Sequence, residues 1–144
     1  MLTDLNWNQL TNGNLDAQSF LGRWGKYLRA VDNIMDEGWN DSAHVLEALA
    51  LGVDCYSSKF YQEHVSLLQS AALSTTSLWE QSVHWERQDV LWKKQWSDVL
   101  RHADVIMLGI VVMICSGWER MTSFTTMFLN AAYIDHKDRR GLPQ

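Results

Sequence analysis

The stretch Val105-Ile-Met-Leu-Gly-Ile-Val-Val-Met-Ile-Cys115 is the most apolar part of this 144-residue chain. Its β-branched residues favour a strand, but a strand needs partners, and no other segment alternates apolar and polar residues between turns. Elsewhere the apolar residues recur at helical spacing, and the only proline is Pro143. A buried helix is therefore the better prediction for this stretch, and an all-α fold for the chain.

Two helices are predicted in the first part of the chain. The first, from about Asp16 to Glu37, follows from apolar residues that recur every three or four positions, namely Leu21, Trp24, Leu28, Val31 and Met35. Asp41 or Ser42 is placed to cap a second helix that runs to about Tyr56. Its apolar residues are expected to face inward: Leu46, Leu49, Ala50 and Val53.

The second half of the chain carries a longer apolar stripe. Its residues fall within about 60° of one another on a helix and are predicted to share an inward face: Leu78, Trp85, Trp92, Trp96, Val99, Ala103, Ile106 and Ile110. One helix of that length would be roughly 60 Å long, so a break is expected near Arg87-Gln88-Asp89. Asp89 would then cap a helix to about Ser116, and a final helix would run from about Glu119 to Tyr133. Helical spacing also covers Phe60 to Glu86. Because Ser77-x-x-Glu80 could be a capping box that begins a new helix, this stretch is predicted to form either one helix or two.

These elements predict a compact single-domain bundle of five or six helices. Residues 1–14 form a polar N-terminal arm, with Trp7 and Leu10 placed to pin it to the body. Residues 15–134 form the helical domain, and residues 135–144 form a charged C-terminal tail. A single core is expected, because a chain of this length buries roughly two-thirds of its surface on folding.

Charge and composition exclude several classes of function. The net charge is -5, which disfavours nucleic-acid binding because that role needs a face of phosphate-neutralising cations. Cys55 and Cys115 belong to no CxxC motif, which is typical of free thiols in a reducing compartment. The N-terminus lacks a signal-peptide pattern, and the apolar stretch is shorter than the roughly 20 residues of a membrane span. A cytoplasmic protein is expected, and association with a membrane is not expected.

An acidic segment between Val31 and Glu63 offers a candidate metal site. Asp32 and Asp36 are four residues apart and project from one side of a helix, and Asp135 and Asp138 are a possible second cluster. Carboxylates are the ligands that Mg²⁺ prefers. The spacing resembles the aspartate-rich motifs of class I isoprenoid (prenyl-diphosphate) enzymes, although Asn33 stands where that motif has its second aspartate. The resemblance implies an Mg²⁺-dependent enzyme acting on a diphosphate.

The eight tryptophans indicate a different function. Trp79 and Leu91 lie more than 100° from the long apolar stripe, so bulky apolar groups are expected on a second face, as at protein interfaces. Trp39 is a further candidate, and Asp41 and Glu47 would dock a basic partner. No catalytic motif is complete, which favours a binding protein over an enzyme. No cofactor is predicted for such a binding protein. The expected partner is a second copy or a protein with a basic surface.

Three short segments of the sequence resemble segments of short all-helical proteins of tailed phages and prophages. These are Val31-Asp-Asn-Ile-Met-Asp36, Ser82-Val-His-Trp-Glu86 and Met113-Ile-Cys-Ser-Gly-Trp-Glu119. The resemblance extends over most of the chain from Trp24 onward. It implies a phage or mobile-element context, in which the chain would be an assembly component or an inhibitor of a host protein.

Overall fold

The computed structural model describes residues 5–37 and 41–140, with side chains for 5–36 and 41–133. Every regular element in this part of the chain is an α-helix, which confirms the all-α prediction. Six helices exceed ten residues, in agreement with the predicted five or six, and two are short. The helices are α1 (Trp7–Leu10), α2 (Leu15–Glu37), α3 (Ser42–Tyr56), α4 (Lys59–Glu63), α5 (Val65–Glu86), α6 (Leu91–Arg101), α7 (Val105–Ser116) and α8 (Trp118–Arg140).

The chain divides into two compact units. One is the continuous segment of residues 13–65, which contains α2, α3 and α4 and is called here the 13–65 unit. The other combines residues 5–12 with the chain from residue 66 onward and is called the terminal unit. It contains α1 and α5 to α8, since all of α5 but its first residue belongs to it.

The 13–65 unit is built on an aromatic core. Phe20 and Trp24 on α2 are fully buried, and the Phe20 ring lies 5.9 Å from that of Phe60 on α4. Tyr56 and Tyr61 extend the cluster, with ring centroids 4.9 Å apart. Stacked and edge-to-face contacts of this kind add to the stability gained by burying the rings.

Small residues bring α3 against α2. The buried residues of α3 are Ala48, Gly52 and Cys55. A methyl group on Gly52 would lie 2.9 Å from the Cε2 atom of Tyr27, so the close approach requires glycine there. The prediction that Leu46, Leu49, Ala50 and Val53 face inward was wrong, because all four are exposed. The side of α3 that fits against α2 is its small-residue side.

The core of the terminal unit is formed largely by α7 and α8. Met107, Val111 and Val112 on α7 are fully buried, as are Phe124 and Phe128 on α8. Gly117, with φ of 86°, ends α7 and permits the turn into α8. The most apolar stretch of the chain, residues 105–115, is therefore part of a core helix of this unit.

The polar N-terminal segment is attached as the sequence indicates. Leu10 is buried, and the Trp7 ring lies 6.0 Å from that of Phe124. The Ser116 hydroxyl donates a 2.6 Å hydrogen bond to the backbone carbonyl oxygen of Leu10. The segment also contains the short helix α1, whose cap Asn6 accepts a hydrogen bond from the Gln9 backbone N–H.

Helix boundaries match the sequence in several places. Asp41 caps α3, as predicted, since its carboxylate accepts a 2.9 Å hydrogen bond from the Ala43 N–H. The break near residues 87–89 is present, and α5 is one helix rather than two. The predicted end of the last helix near Tyr133 is too early, because α8 continues to Arg140.

The predicted helix from Asp89 to Ser116 is interrupted. A turn at residues 102–104 separates α6 from α7, and the cap of α6 is Val90. The segment Leu91–Ser116 is long and apolar enough to cross a membrane by length and composition alone, and it is the one such segment in the described part of the chain. Since the core helix of a soluble protein passes the same test, this finding is consistent with a soluble protein.

Candidate interaction surfaces

An exposed apolar face runs along α3. Leu46, Leu49 and Val53 follow one another at spacings of three and four residues and expose 65%, 62% and 70% of their surface. We call these three residues the α3 face. The spacing is that of the a and d positions through which paired helices contact each other. Three adjacent, largely exposed aliphatic side chains are typical of a surface that another molecule covers.

Exposed acidic side chains lie on the same helix as the α3 face. Glu47 and Asp54 are exposed on the same helix, and α3 contains no lysine or arginine. Asp54 has its countercharge on α2, where Arg23 lies 3.4 Å from its carboxylate and also donates to its backbone carbonyl oxygen. Asp41, at the start of α3, has its carboxylate 3.5 Å from His44 Nε2. Of the predicted interaction residues, Glu47 is therefore exposed on the helix that carries the α3 face, and Asp41 is the cap of that helix.

A second exposed apolar face lies on α6 in the terminal unit. Trp92, Trp96 and Val99, which we call the α6 face, expose 51%, 55% and 56% of their surface. The expectation that these residues face inward was wrong. Ser97 and Asp98 are the buried residues of α6, so this helix turns polar side chains inward and indoles outward.

Local contacts hold the α6 face in place. The Trp92 ring meets the Trp85 ring edge to face at 5.5 Å, and the Lys93 ammonium lies 5.6 Å from the Trp92 centroid. On the opposite side, the Ser97 hydroxyl donates to the Lys94 backbone carbonyl oxygen, which satisfies this buried polar group. Ring contacts therefore position the Trp92 indole, and the buried Ser97 hydroxyl has a hydrogen-bond partner.

One of the three basic residues of α6 lies next to the α6 face. Lys93, Lys94 and Arg101 are on α6, and the single acid of this helix, Asp98, is buried. Lys94 forms a 3.1 Å ion pair with exposed Asp89, and Arg101 pairs with Glu86. Exposed pairs of this kind contribute little free energy and exchange readily with other partners. Lys94 and Arg101 lie on the side of α6 away from Trp92 and Trp96, so Lys93 is the basic residue of α6 that lies next to the α6 face.

The other predicted interaction residues lie in different settings. Leu91 is 74% exposed at the start of α6, next to the α6 face. Trp79 on α5 is only half-buried, so part of its ring remains accessible. Trp39 lies outside the described residues. Sequence reasoning missed the α3 and α6 faces themselves, although small residues at 48, 52 and 55 are a signal that the other side of α3 packs.

The predicted metal site is only partly described. Asp32 and Asp36 are exposed near the end of α2. Asp135 and Asp138 lie in the last part of α8, where the description covers the backbone and not the side chains. Within residues 5–36 and 41–133, no three side chains of His, Cys, Asp or Glu come together in a group that could hold a metal ion. The two pairs of aspartates are therefore not shown to be neighbours.

One buried carboxyl group stands out for its electrostatics. Asp104 precedes α7, and its Oδ1 atom has no hydrogen-bond partner within the described part of the chain. Burial raises the pKa of Asp104 to about 6, and hydrogen bonds from the backbone N–H groups of Val105 and Asp104 itself offset this only in part. Burial also raises the pKa of the Cys55 thiol to about 12.

Comparison with known proteins adds no functional assignment. No protein-family model, no curated protein and no solved structure matches this chain.

Proposed function

We propose that this chain is a small helical protein that acts by protein–protein association in the cytoplasm. In a phage or mobile-element context it would be an assembly component or an inhibitor of a host protein. The observation that carries the proposal is the α3 face, three adjacent aliphatic side chains that each expose more than half of their surface on the helix that also exposes Glu47.

The energetic argument starts from exposed apolar area. Surface leucines scattered singly are ordinary, but a continuous row costs free energy in water and is retained where a partner covers it. The row on α3 has the spacing of a helix-pairing seam, so the partner would present a helix or a groove of similar width. Exposed carboxylates on the same helix favour a partner with basic groups and weaken its binding as salt rises.

Native mass spectrometry in Mg²⁺-containing buffer tests this proposal against the diphosphate-enzyme hypothesis. The wild type is compared with the Asp32→Asn/Asp36→Asn double variant, since both aspartates are exposed. Circular dichroism checks that the variant has the same helix content. We expect an assembly of defined subunit number that retains no Mg²⁺ and is the same in both proteins. A Mg²⁺ adduct that disappears in the double variant would contradict the proposal and favour an enzyme that binds metal through these two residues.

A further inference from the structure

We infer that α6 opens from the terminal unit as one segment, with hinges at residues 87–90 and 102–104, while α5, α7 and α8 stay folded. The inference goes beyond the proposed function and does not rest on it, because it concerns the chain without a partner. Three observations support it: the burial of side chains on α6, the contacts that hold α6 against α5, and the turns at its two ends.

The inner side of α6 contributes little apolar burial. Its buried residues are Ser97 and Asp98, and Leu100 is only half-buried. The other long helices of the terminal unit all bury apolar side chains: Leu68, Ala71 and Ala72 on α5, Met107, Leu108, Val111 and Val112 on α7, and Phe124, Phe128 and Ala132 on α8. Since local stability follows apolar burial, α6 is the long helix of this unit that costs least free energy to release.

The exposed side of α6 removes a further cost of opening. Trp92, Trp96 and Val99 expose more than half of their surface in the packed arrangement, which we call the closed state. When a helix is released from a protein, transfer of its apolar side chains into water is usually the largest cost. For the α6 face most of that surface is already in water in the closed state, so opening adds little.

A ring contact and an ion pair join α6 to the end of α5. The Trp85 and Trp92 rings meet edge to face at 5.5 Å, and Arg101 pairs with Glu86. Both side chains of the ion pair are more than one-third exposed, and such pairs contribute little free energy. The ring contact is therefore the stronger of the two.

Turns at both ends of α6 are placed to act as hinges. Residues 87–90 separate α5 from α6, and residues 102–104 separate α6 from α7. Hinges are generally a few residues at the ends of elements that absorb changes in φ and ψ. The second turn is anchored on α5, because the buried Thr75 hydroxyl donates a 3.2 Å hydrogen bond to the Ala103 backbone carbonyl oxygen. Motion of α6 is therefore expected to end at this turn and to leave α7 in place.

Opening changes what the terminal unit presents to a partner. A helix of 11 residues is only marginally stable alone in water, so α6 is expected to unwind once it is released. Release also separates Trp92 from Trp85 and makes both indoles accessible. A partner that binds the open or the closed state more tightly shifts the equilibrium toward that state. The segment is thus a conformational switch that a partner can set.

Hydrogen exchange of the wild type, measured residue by residue by NMR, tests the opening directly. After correction for intrinsic rates, we expect the amides of residues 95–101 to exchange at least roughly tenfold faster than the interior amides of α7 and α8. We also expect them to share one protection factor, because the helix opens as a unit. Low concentrations of urea should accelerate them less than the amides of α7 and α8, since local opening exposes less surface than global unfolding.

A core variant distinguishes local opening from global unfolding. Phe124→Leu reduces a buried ring on α8 that contacts Trp7. Because the open state still contains this core, the variant destabilises the closed and the open state equally. We expect roughly tenfold faster exchange on α7 and α8 and unchanged exchange on α6.

Two tryptophan variants test the contact that holds α6. Trp92→Ala removes the ring contact with Trp85, and Trp96→Ala, which removes an indole of similar exposure from the same helix, is the matched control. We expect exchange of α6 to be roughly tenfold faster in Trp92→Ala than in Trp96→Ala. Circular dichroism checks that both variants keep the helix content of the wild type.

Several results would overturn the inference. Equal protection of α6, α7 and α8 would show that no local opening occurs, and equal acceleration of all three by Phe124→Leu would show that α6 is exposed only by global unfolding. Protection that declines steadily toward one end of α6 would indicate fraying rather than opening as a unit. Equal exchange in Trp92→Ala and Trp96→Ala would refute the role assigned to the ring contact. The proposed function is tested separately, since its failure would appear as Mg²⁺ retention through Asp32 and Asp36.

Discussion

Replacing Asp104 with asparagine tests how strongly burial of this carboxyl group opposes folding. Burial raises the pKa of Asp104 from 3.8 to about 6. When the pKa of an acid is higher in the folded than in the unfolded state, ionising that acid costs more free energy in the folded state. Ionisation therefore lowers the free energy of unfolding. The resulting cost is about 0.5 kcal/mol at pH 4, grows as pH rises to about 6, and is nearly constant above that. At about 1.4 kcal/mol per pKa unit, its full size is about 3 kcal/mol.

The Asp104→Asn variant removes this pH dependence. Asparagine has nearly the same shape and no charge, but it brings amide hydrogens whose burial costs about 1–3 kcal/mol if they find no acceptor. That cost does not change with pH. We therefore expect the free energy of unfolding of the variant, relative to the wild type, to increase by about 2.5 kcal/mol between pH 4 and pH 7.5.

Urea unfolding followed by circular dichroism at several pH values measures this difference. Asp36→Asn, which removes an exposed carboxylate, is the control, and we expect it to change the free energy of unfolding by less than about 0.5 kcal/mol. A difference between Asp104→Asn and the wild type that is the same at pH 4 and pH 7.5 would refute the reasoning. It would mean that the Asp104 carboxylate is stabilised in the folded protein as well as it is in water.

Two further predictions concern packing and thiol reactivity. Gly52→Ala is expected to lower the free energy of unfolding by about 1–3 kcal/mol, because the new methyl group meets the Tyr27 ring at 2.9 Å. Gly25→Ala, within α2 and with open space around it, is expected to raise that free energy by about 0.5–1 kcal/mol. Thermal unfolding measures the stability of both variants. A Gly52→Ala variant more stable than the wild type would contradict the packing described. Cys55 is expected to resist a thiol-specific reagent at pH 8 in the native protein, because it is buried and its pKa is about 12. Half-buried Cys115 is expected to react faster, and mass spectrometry of peptides measures the order of labelling. Labelling of Cys55 before Cys115 would contradict protection of the Cys55 thiol by burial.

Local signals account for the features that were predicted well. The spacing of Trp24 and its neighbours predicted α2, and Asp41 was recognised as a cap because a carboxylate there satisfies a free backbone N–H. The absence of proline before Pro143 indicated a helical chain throughout. These properties depend on residues a few positions apart, so they are readable without knowledge of what packs against them.

The candidate surfaces depended on information that local spacing does not contain. On α3, spacing showed that Leu46, Leu49 and Val53 share a face, but not whether a neighbour covers that face. The close approach to α2 needs small residues, so Ala48 and Gly52 took the inner side and the leucines stayed outside. The metal hypothesis for Asp32 and Asp36 likewise needs a third ligand from elsewhere in the fold, which no helical pattern can supply.

By itself, the sequence determined the fold class, the number of long helices and most of their boundaries, because backbone hydrogen bonding, capping and periodicity act within a few residues. Only the tertiary structure decided which side of each amphipathic helix is buried. On α6 it turned Ser97 and Asp98 inward and left Trp92 and Trp96 outside. The physical reason is that burial is a property of two packed surfaces. Which side of a helix is buried therefore depends on the shape of the neighbouring surface against which the helix packs.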